Sequence, residues 1–469
     1  MNAAPPRNGN TTALWALFAI ACLSFLPTLW LEYVGEEGVY TITSLEMWYH
    51  GHYLEPHLYG GAYGRPPLLN WAIIPVAELL GWGNMLVASR LVTALSTIAT
   101  GLLLAWLAQR LFRDRVLTAL AALVYLTSDA LLYHGWLAYS DPLFSLLTFG
   151  AIACLWVASE EERHDLLLLG LLCVSAAFLT KALTTYVFYG VVLAVLLWRH
   201  PAQRRFLLGA PSVLLHLLTF AGPLVWYARI PGGSGQGHGM LHDVLAKLAA
   251  DRFFPYLWQI VEFPLETLAR FLPAAAVALW LLARKRYRPT AAGGGRLATG
   301  LWILGLNYLP YWLSPQSSIR YIMPLYPLFA LVIAQVIRSS DQGGLRLAAR
   351  WLAGVIVFKL VAALWLFPYY QAHFRGDYGA VARDIAARTA GQPLYAADVS
   401  ATGLSVTARL DTARLPRPPL TFPPAQWHTG FVIAYTPDPA LGRLTREYRL
   451  GGSRLYLLCR GKACGTAAR

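Results

Sequence analysis

The sequence is poor in charge: Asp, Glu, Lys and Arg make up 13% of its 469 residues, about half the share found in an ordinary soluble domain. Apolar residues make up 57%, and there are 17 tryptophans and 25 tyrosines. Such a composition excludes a disordered chain, a collagen-like chain and an ordinary cytosolic enzyme. It is typical of a protein whose solvent is a lipid bilayer.

The sequence also lacks a glycine-rich phosphate loop and an internal repeat. The first absence means that no motif points to a nucleotide cofactor. The second argues against the transporter folds that are built from inverted halves. Cysteine is scarce as well, with five residues, of which Cys459 and Cys464 are close enough in sequence to form a disulfide on an oxidising side of a membrane.

The net charge of +14 comes from short basic loops between apolar runs. A nucleic-acid-binding protein would concentrate its basic residues on one face or arm, so we expect no nucleic-acid partner. Basic loops at alternate ends of apolar helices instead follow the positive-inside rule. They predict a cytoplasmic N-terminus and, with an odd number of spans, a C-terminus outside.

The apolar runs predict a mainly α, polytopic membrane protein with about 11 transmembrane helices. Residues 1–370 form the predicted transmembrane domain, in which the outer loops 32–85 and 227–266 cover the active site. Charge rises and short β-rich runs appear in residues 371–469, which predict a small soluble α+β domain. The predicted spans are 12–31, 86–109, 116–133, 142–158, 166–181, 183–198, 206–226, 267–283, 297–312, 319–337 and 351–368.

Ionisable residues near the ends of these spans fall on one predicted face, the outer one. Charged groups close to hydrocarbon are costly, so they mark functional sites by default. Because they come from five separate segments, they predict one outward-facing cavity. The candidate residues are Glu36, Glu37, Arg65, Asp141, Lys181 and the pair Arg320 and Tyr321.

The chemistry of these side chains fits glycosyl transfer from a phospholipid-linked sugar. Arg65, Lys181 and Arg320 are suited to hold a phosphate, because arginine binds it with a bidentate fork and lysine with a point charge. A carboxylate at Glu36, Glu37 or Asp141 is suited to take the proton of an acceptor hydroxyl. Asp141 precedes a proline and is also suited to cap a helix.

Several motifs carry a family resemblance that covers residues from about 12 to 368. They are Gly35-Glu36-Glu37-Gly38-Val39-Tyr40, the His-rich stretch 50–58, Arg65-Pro66-Pro67-Leu68-Leu69-Asn70-Trp71, Ser140-Asp141-Pro142, Thr180-Lys181 and the stretch 320–327. In order and spacing the chain resembles the protein-mannosyltransferase-like membrane glycosyltransferases of bacteria, which have the GT-C fold. It is most similar to their aminoarabinose-transferase branch, which acts on lipid A.

The resemblance implies a polyprenyl-phosphate sugar donor, with undecaprenyl as the expected lipid, and a lipid A-like or glycan acceptor. It also implies an inverting reaction on the periplasmic side of the bacterial inner membrane. By this resemblance Glu36 takes the place of the family's catalytic aspartate, Glu37 that of the glutamate that follows it, and Arg65 that of a donor-binding lysine. Gly64 stands where the aminoarabinose transferases have a zinc-binding glutamate, so we expect no cofactor. A divalent metal stays a disfavoured alternative, for which His238 and His242 are the candidate ligands. We expect a monomer.

Two other classes of function remain as alternatives. A transporter or lipid flippase would use the charges as a substrate pathway and would spread them through the membrane on both sides. A non-catalytic scaffold subunit would give the charges no reason to converge on one face. The crowding of charge on the outer face favours the enzyme.

Overall fold

The computed structural model describes residues 8–181, 183–229, 253–284 and 294–466, and it is mainly helical. The chain divides into two compact units. The first unit contains the described part of Met1–Phe25, together with Thr93–Trp136 and the described part of Ser140–Lys359. The second unit contains Leu26–Val92, Leu137–Tyr139 and the described part of Leu360–Arg469.

The first unit is built from helices. Their bounds are Asn8–Leu23, Met85–Phe112 (which begins in the second unit), Arg115–Leu126, Asp129–Leu132, Ser140–Glu161, His164–Thr180, Thr184–Arg199, Arg204–Leu207, Ala210–Thr219, Ala221–Arg229, Phe253–Ala269, Ala274–Ala283, Gly294–Leu313, Tyr326–Arg338 and Gln342–Val361. Short 3₁₀ turns cover Pro201–Gln203 and Ile319–Leu325. The helix Ser140–Glu161 is apolar on all sides and is buried along most of its length, so it forms the centre of this unit.

The described residues contain six helices long and apolar enough to cross a membrane. A seventh span results if the bent pair Tyr256–Ala269 and Ala274–Ala283 is counted as one. Each of the predicted apolar runs overlaps a helix, but several of those helices are short: Arg115–Leu126, for example, has 12 residues. A polytopic helical membrane protein is therefore confirmed, whereas the number of eleven spans stays a prediction.

The second unit combines helices with a sheet. Its helices are Gly38–His50, Leu68–Leu80, Phe367–Tyr370, Tyr378–Arg388, Ala401–Arg414 and Ala463–Thr466, with 3₁₀ turns at Leu26–Trp30 and Trp82–Asn84 and π turns at Ala362–Leu366 and Gln371–Arg375. The strands are β1 (His57–Leu58), β2 (Gly61–Ala62), β3 (Leu394–Ala396), β4 (Gly430–Ala434), β5 (Arg443–Leu450) and β6 (Ser453–Arg460). β1 and β2 form a hairpin, and the other strands form a sheet in the order β3-β4-β6-β5.

This unit does not have the boundaries predicted for the C-terminal domain, 371–469. Tyr33, Ile42 and Tyr59 of the predicted outer loop lie in the same hydrophobic core as Phe431 of β4 and Leu455 of β6. The backbones also approach closely, since a Cβ on Gly38 would lie 2.5 Å from the carbonyl oxygen of Leu404. The loop and the C-terminal residues thus share one core because each covers the apolar face of the other.

A disulfide joins Cys459 on β6 to Cys464 on the last helix. These are the two cysteines whose close spacing in the sequence is compatible with a disulfide. Cys459 is buried in the core of the unit, so the bond attaches the C-terminal helix to the sheet.

Two buried carboxyl groups make the second unit sensitive to pH. Glu46, on the helix Gly38–His50, accepts hydrogen bonds from the backbone N–H groups of Tyr59 and Gly60, at 2.6 and 3.0 Å. Asp411, on the helix Ala401–Arg414, accepts one from the backbone of Leu420. Burial raises the pKa of both groups to about 7, from ordinary values of 4.5 and 3.8.

We therefore expect the free energy of unfolding to fall as the pH rises from about 4 to about 7. The folded protein keeps protons on Glu46 and Asp411 that the unfolded chain releases, so their stabilisation is complete below about pH 4 and is lost as the pH approaches 7. Asp411→Asn removes one titrating group, so the total fall in the free energy of unfolding over this pH range should be smaller by on the order of 1–3 kcal/mol. Thermal unfolding of the full chain at several pH values measures this, with the exposed Asp438→Asn as the control; equal pH slopes in all three proteins would contradict it.

Candidate active site

The two adjacent glutamates follow a sharp turn at Gly35. Gly35 has φ +59°, and a Cβ there would lie 2.3 Å from the hydroxyl of Tyr139, so the turn requires glycine. The Tyr139 hydroxyl accepts a hydrogen bond from the backbone N–H of Glu36 at 2.9 Å and lies 3.2 Å from the carbonyl oxygen of Val34, to which it donates. The turn is thus fixed from both sides before the helix Gly38–His50 begins.

Arg90 holds the turn through a buried ion pair with Glu37. Both side chains are fully buried, with 0% exposure. The guanidinium donates to the two Glu37 oxygens at 2.9 and 2.5 Å, and also to the carbonyl oxygens of Thr28, Leu31 and Glu32 at 2.5 to 2.9 Å. All five of its N–H groups are used in this way. Arg90 lies inside the apolar helix Met85–Phe112, and an ionisable residue within such a run was the available signal for this role. The candidate residues chosen from the sequence did not include it.

The Glu37 side chain is buried, whereas the Glu36 side chain is exposed to solvent. The Glu37 carboxylate also accepts from the backbone N–H groups of Val34 and Ala138, each at 2.7 Å, so both of its oxygens are occupied. The Glu36 side chain is exposed, and none of the residues that the structure describes bonds to its carboxylate. Of the two carboxylates, Glu36 is the one with room for a substrate hydroxyl.

A second group of candidate residues lies in the first unit. Asp141 is buried in the first turn of the helix Ser140–Glu161, and Lys181 follows the end of the helix His164–Thr180. Their side chains form an ion pair. The Lys181 Nζ atom lies 5.1 Å from the ring centre of Tyr321 and 5.8 Å from that of Phe144. Asp141 and two aromatic rings therefore fix the position of the lysine.

Arg320 belongs to the same cluster. Its guanidinium carbon lies 5.8 Å from the ring centre of Tyr321, so the charged groups of Arg320 and Lys181 are no more than about 11 Å apart. The 3₁₀ turn Ile319–Leu325 that carries both Arg320 and Tyr321 is attached to the helix Ser140–Glu161, because the Ser145 hydroxyl donates to the Met323 carbonyl at 3.0 Å. Two cations beside one aromatic ring can bind an anionic group such as a phosphate.

Arg65 lies in the second unit with Glu36 and Glu37. Its side chain is exposed, and in the described part of the chain it makes no ion pair or hydrogen bond. The helix Leu68–Leu80 follows it and is attached to the helix Gly38–His50 by Asn70, whose amide donates to Thr43 and Ser44 at 2.8 and 2.9 Å. Arg65 thus combines a free charge with a fixed neighbouring helix. The single cavity predicted for all seven candidate residues stays a prediction.

The residues present do not fit a zinc site at position 64. Gly64 has no side-chain ligand, and a Cβ there would have no neighbour within 4 Å. Among the described residues, no group of three or more His, Cys, Asp or Glu side chains is arranged to hold a metal ion. The predicted outer loop 227–266 lies partly outside the described residues. We therefore assign no catalytic step to a metal.

The chain is similar to membrane glycosyltransferases in sequence. Residues 64–226 match the family model described as dolichyl-phosphate-mannose-protein mannosyltransferase. Two similar relatives are the undecaprenyl phosphate-alpha-4-amino-4-deoxy-L-arabinose arabinosyl transferases of Edwardsiella ictaluri and Pseudomonas paraeruginosa, each 27% identical. The alignments cover 77% of this chain and 67% and 68% of the relatives. None of these proteins is named a transporter.

The fold is that of a solved aminoarabinose transferase. The crystal structures of ArnT from Cupriavidus metallidurans, without ligand and bound to undecaprenyl phosphate, superpose with TM-scores of 0.70 and 0.68 at 16% identity. Each match covers 96% of this chain and 98% of the other. The class of protein is therefore a polytopic membrane protein with the GT-C fold. Within that class, the resemblance to the aminoarabinose transferases predicted from the sequence is confirmed.

Proposed function

We propose that the protein is an integral-membrane glycosyltransferase that moves a sugar from a polyprenyl-phosphate donor to a lipid A-like or glycan acceptor. The observation that supports this most directly is the cluster of Lys181, Arg320 and Tyr321, which presents two fixed cations at the ends of apolar helices. Lipid-linked phosphates need such a binding site. The relatives named as arabinosyl transferases make undecaprenyl phosphate the expected carrier.

In this proposal Lys181, Arg320 and Arg65 hold the donor phosphate, and the Tyr321 ring lies beside both Lys181 and Arg320. Asp141 holds the Lys181 ammonium in a fixed position through their ion pair when no donor is bound. Binding of phosphate gives the lysine a second anionic partner. The cations then stabilise the negative charge that develops on the phosphate as it leaves.

Glu36 acts as the general base. The acceptor oxygen forms a bond to the anomeric carbon of the sugar while the bond from that carbon to the donor phosphate breaks. The electron pair of the broken bond goes to the phosphate, and the proton of the acceptor hydroxyl goes to the Glu36 carboxylate. A single displacement of this kind inverts the anomeric configuration. Glu37 and Arg90 take no part in the proton transfer but hold the turn on which Glu36 lies.

We further propose that transfer takes place on the periplasmic side of the inner membrane, with the N-terminus in the cytoplasm and residues 371–469 in the periplasm. The basic loops of the sequence support this orientation. The disulfide between Cys459 and Cys464 supports it too, because disulfides persist in oxidising compartments. We propose that the protein acts as a monomer.

Removing one cation should weaken use of the donor. We expect Lys181→Ala and Arg320→Ala each to lower kcat/KM for the donor about 10- to 100-fold, because each loses a charge-assisted hydrogen bond of roughly 1.5–3 kcal/mol. The double variant should lower kcat/KM by a smaller factor than the product of the two single decreases, since both cations bind one phosphate. Arg65→Lys should be milder than Arg65→Ala. Steady-state kinetics with varied donor concentration provide the measurement.

Arg110→Ala is the matched control for these variants. Arg110 pairs with Glu161, the last residue of the helix whose first turn contains Asp141, and the pair is partly exposed. Its loss should leave donor kinetics unchanged. An equal effect of Arg110→Ala and Lys181→Ala would contradict a specific phosphate site.

The proposed function as a whole is tested in a strain that lacks the gene. Mass spectrometry of its glycolipids should show the loss of one sugar from one lipid or glycan. Wild-type protein should restore the sugar, and Glu36→Gln should not, although it reaches the membrane in equal amounts. An unchanged set of glycolipids under conditions where the wild-type gene is expressed would contradict the proposal.

A further inference from the structure

The helical segment Gln342–Arg375 is long enough to leave the hydrocarbon layer before it ends. It has 34 residues, and the last exposed charge near its start is Arg350. Residues 351–370 then extend about 30 Å, which is the thickness of the hydrocarbon core. Lys359 is the charged residue within this stretch, and its side chain is buried inside the protein. Residues from about 370 onward are therefore level with the lipid headgroups.

Aromatic residues mark the same level. Tyr369, Tyr370 and Phe374 are all more than half exposed, and the rings of Tyr370 and Phe374 stack at 5.5 Å. Exposed tyrosines at the end of an apolar helix are typical of the membrane–water interface, where one edge of the ring is apolar and the other is hydrated. The position of the interface thus follows from both helix length and side-chain type.

The turn between β5 and β6 packs directly against this end of the helix. A Cβ on Gly451 would lie 2.4 Å from the carbonyl oxygen of Phe374 and 3.2 Å from the Cα atom of Arg375. A Cβ on Gly376 would lie 2.9 Å from the side chain of Leu450. Backbone contact this close places the turn within a few ångströms of the interface.

Two exposed arginines flank the turn. Arg449 at the end of β5 is 78% exposed, and Arg454 at the start of β6 is 61% exposed. The Oε1 atom of Glu447 lies 3.4 Å from Nε of Arg449 and 3.5 Å from Nη1 of Arg454. Arg443 and Arg446 on β5 are also exposed, so this strand carries a clear excess of positive charge. In the described sheet, β5 is an edge strand whose neighbour is β6.

We propose that Arg449 and Arg454 bind the phosphates of anionic phospholipids in the leaflet that surrounds Tyr369, Tyr370 and Phe374. The position of the turn brings the guanidinium groups to the depth of the headgroups, and arginine matches a phosphate with its bidentate fork. The contact holds the β5–β6 hairpin against the membrane surface. This inference uses the membrane helix and the charges alone, and it does not depend on the reaction that the protein catalyses.

The depth of the turn is tested with a fluorescent label. Gly452 has open space where a Cβ would lie, so Gly452→Cys accepts a label in a chain whose free cysteines have been replaced. In vesicles of phosphatidylcholine and phosphatidylglycerol, we expect a nitroxide attached to a lipid headgroup to quench this label strongly. A label at Ala440→Cys, in the exposed loop at the other end of β5, is the comparison. Quenching no stronger at position 452 than at position 440 would overturn the proposed placement.

The role of the arginines is tested by lipid binding to the full chain. Native mass spectrometry in detergent with added phosphatidylglycerol should show about a five-fold lower affinity for each of Arg449→Gln and Arg454→Gln. Affinity for phosphatidylcholine should not change. Lys462→Gln is the matched control, since Lys462 is exposed beyond the opposite end of β6. Equal phosphatidylglycerol affinity in wild type and in the double arginine variant, or an equal loss in Lys462→Gln, would overturn the proposal.

Discussion

Glu36→Gln is expected to lower the rate of sugar transfer by about 100-fold or more while the protein keeps its thermal stability. The glutamine has nearly the same shape, but it cannot accept the proton of the acceptor hydroxyl. Stability should not change because the Glu36 carboxylate is exposed and bonds to no described residue. Turnover by purified protein at saturating donor and acceptor measures the rate, and a thermal melt of the same sample measures the stability.

Glu36→Asp provides the control for this result. The aminoarabinose transferases that the chain resembles have aspartate at this position, so the shorter carboxylate should retain substantially more activity than glutamine does. Near-normal turnover of Glu36→Gln would contradict the assignment of the base.

Breaking the ion pair between Arg90 and Glu37 is expected to cost about 3–5 kcal/mol of stability. Arg90→Met leaves the Glu37 carboxylate fully buried without its cation, and it frees the carbonyl oxygens of Thr28 and Leu31. Glu37→Gln leaves a buried guanidinium without its anion. Activity should fall as well, since the turn that carries Glu36 loses its support. Denaturant unfolding of the full chain in detergent measures the stability.

The double variant Arg90→Met/Glu37→Gln separates an ion pair from two independent losses. It should cost clearly less than the two single changes together, because neither partner is then left buried with an unpaired charge. Arg110→Met, which breaks the partly exposed pair with Glu161, should cost at most about 1 kcal/mol. Additive losses in the double variant would contradict the proposed pair.

The sequence predicts the helices well but cannot distinguish the two adjacent glutamates. Apolar runs and the basic loops between them locate each predicted span on a helix, because helix periodicity and length are local properties. The orientation of Glu36 and Glu37 depends on the backbone of Gly35 and on Arg90, which is 53 residues from Glu37 in the sequence. Such long-range contacts have no local signature, so the sequence left both carboxylates as candidates.

In the second unit as well, the sequence predicts local structure but not the long-range contacts between residues. The β-rich runs of the C-terminal sequence lie on β4 and β6, since alternation within a strand is local. The hydrogen bond from the Tyr59 hydroxyl to the Asp398 carbonyl joins residues 339 positions apart. The pairing of Asp141 with Lys181 spans 40 positions. The sequence indicates that each residue is polar in an apolar setting, but the fold decides which residues become partners.

The most direct test of the proposed glycosyltransferase activity is a transfer assay with the purified full chain in lipid nanodiscs. The substrates are undecaprenyl phosphate-linked 4-amino-4-deoxy-L-arabinose and lipid A, chosen from the names of the similar relatives and the resemblance to their family. Mass spectrometry should show sugar on lipid A and an equal amount of released undecaprenyl phosphate, with at least about a 100-fold lower rate for Glu36→Gln. Failure of the wild-type protein to release undecaprenyl phosphate from any polyprenyl-phosphate sugar, with any glycolipid acceptor, would contradict the proposal.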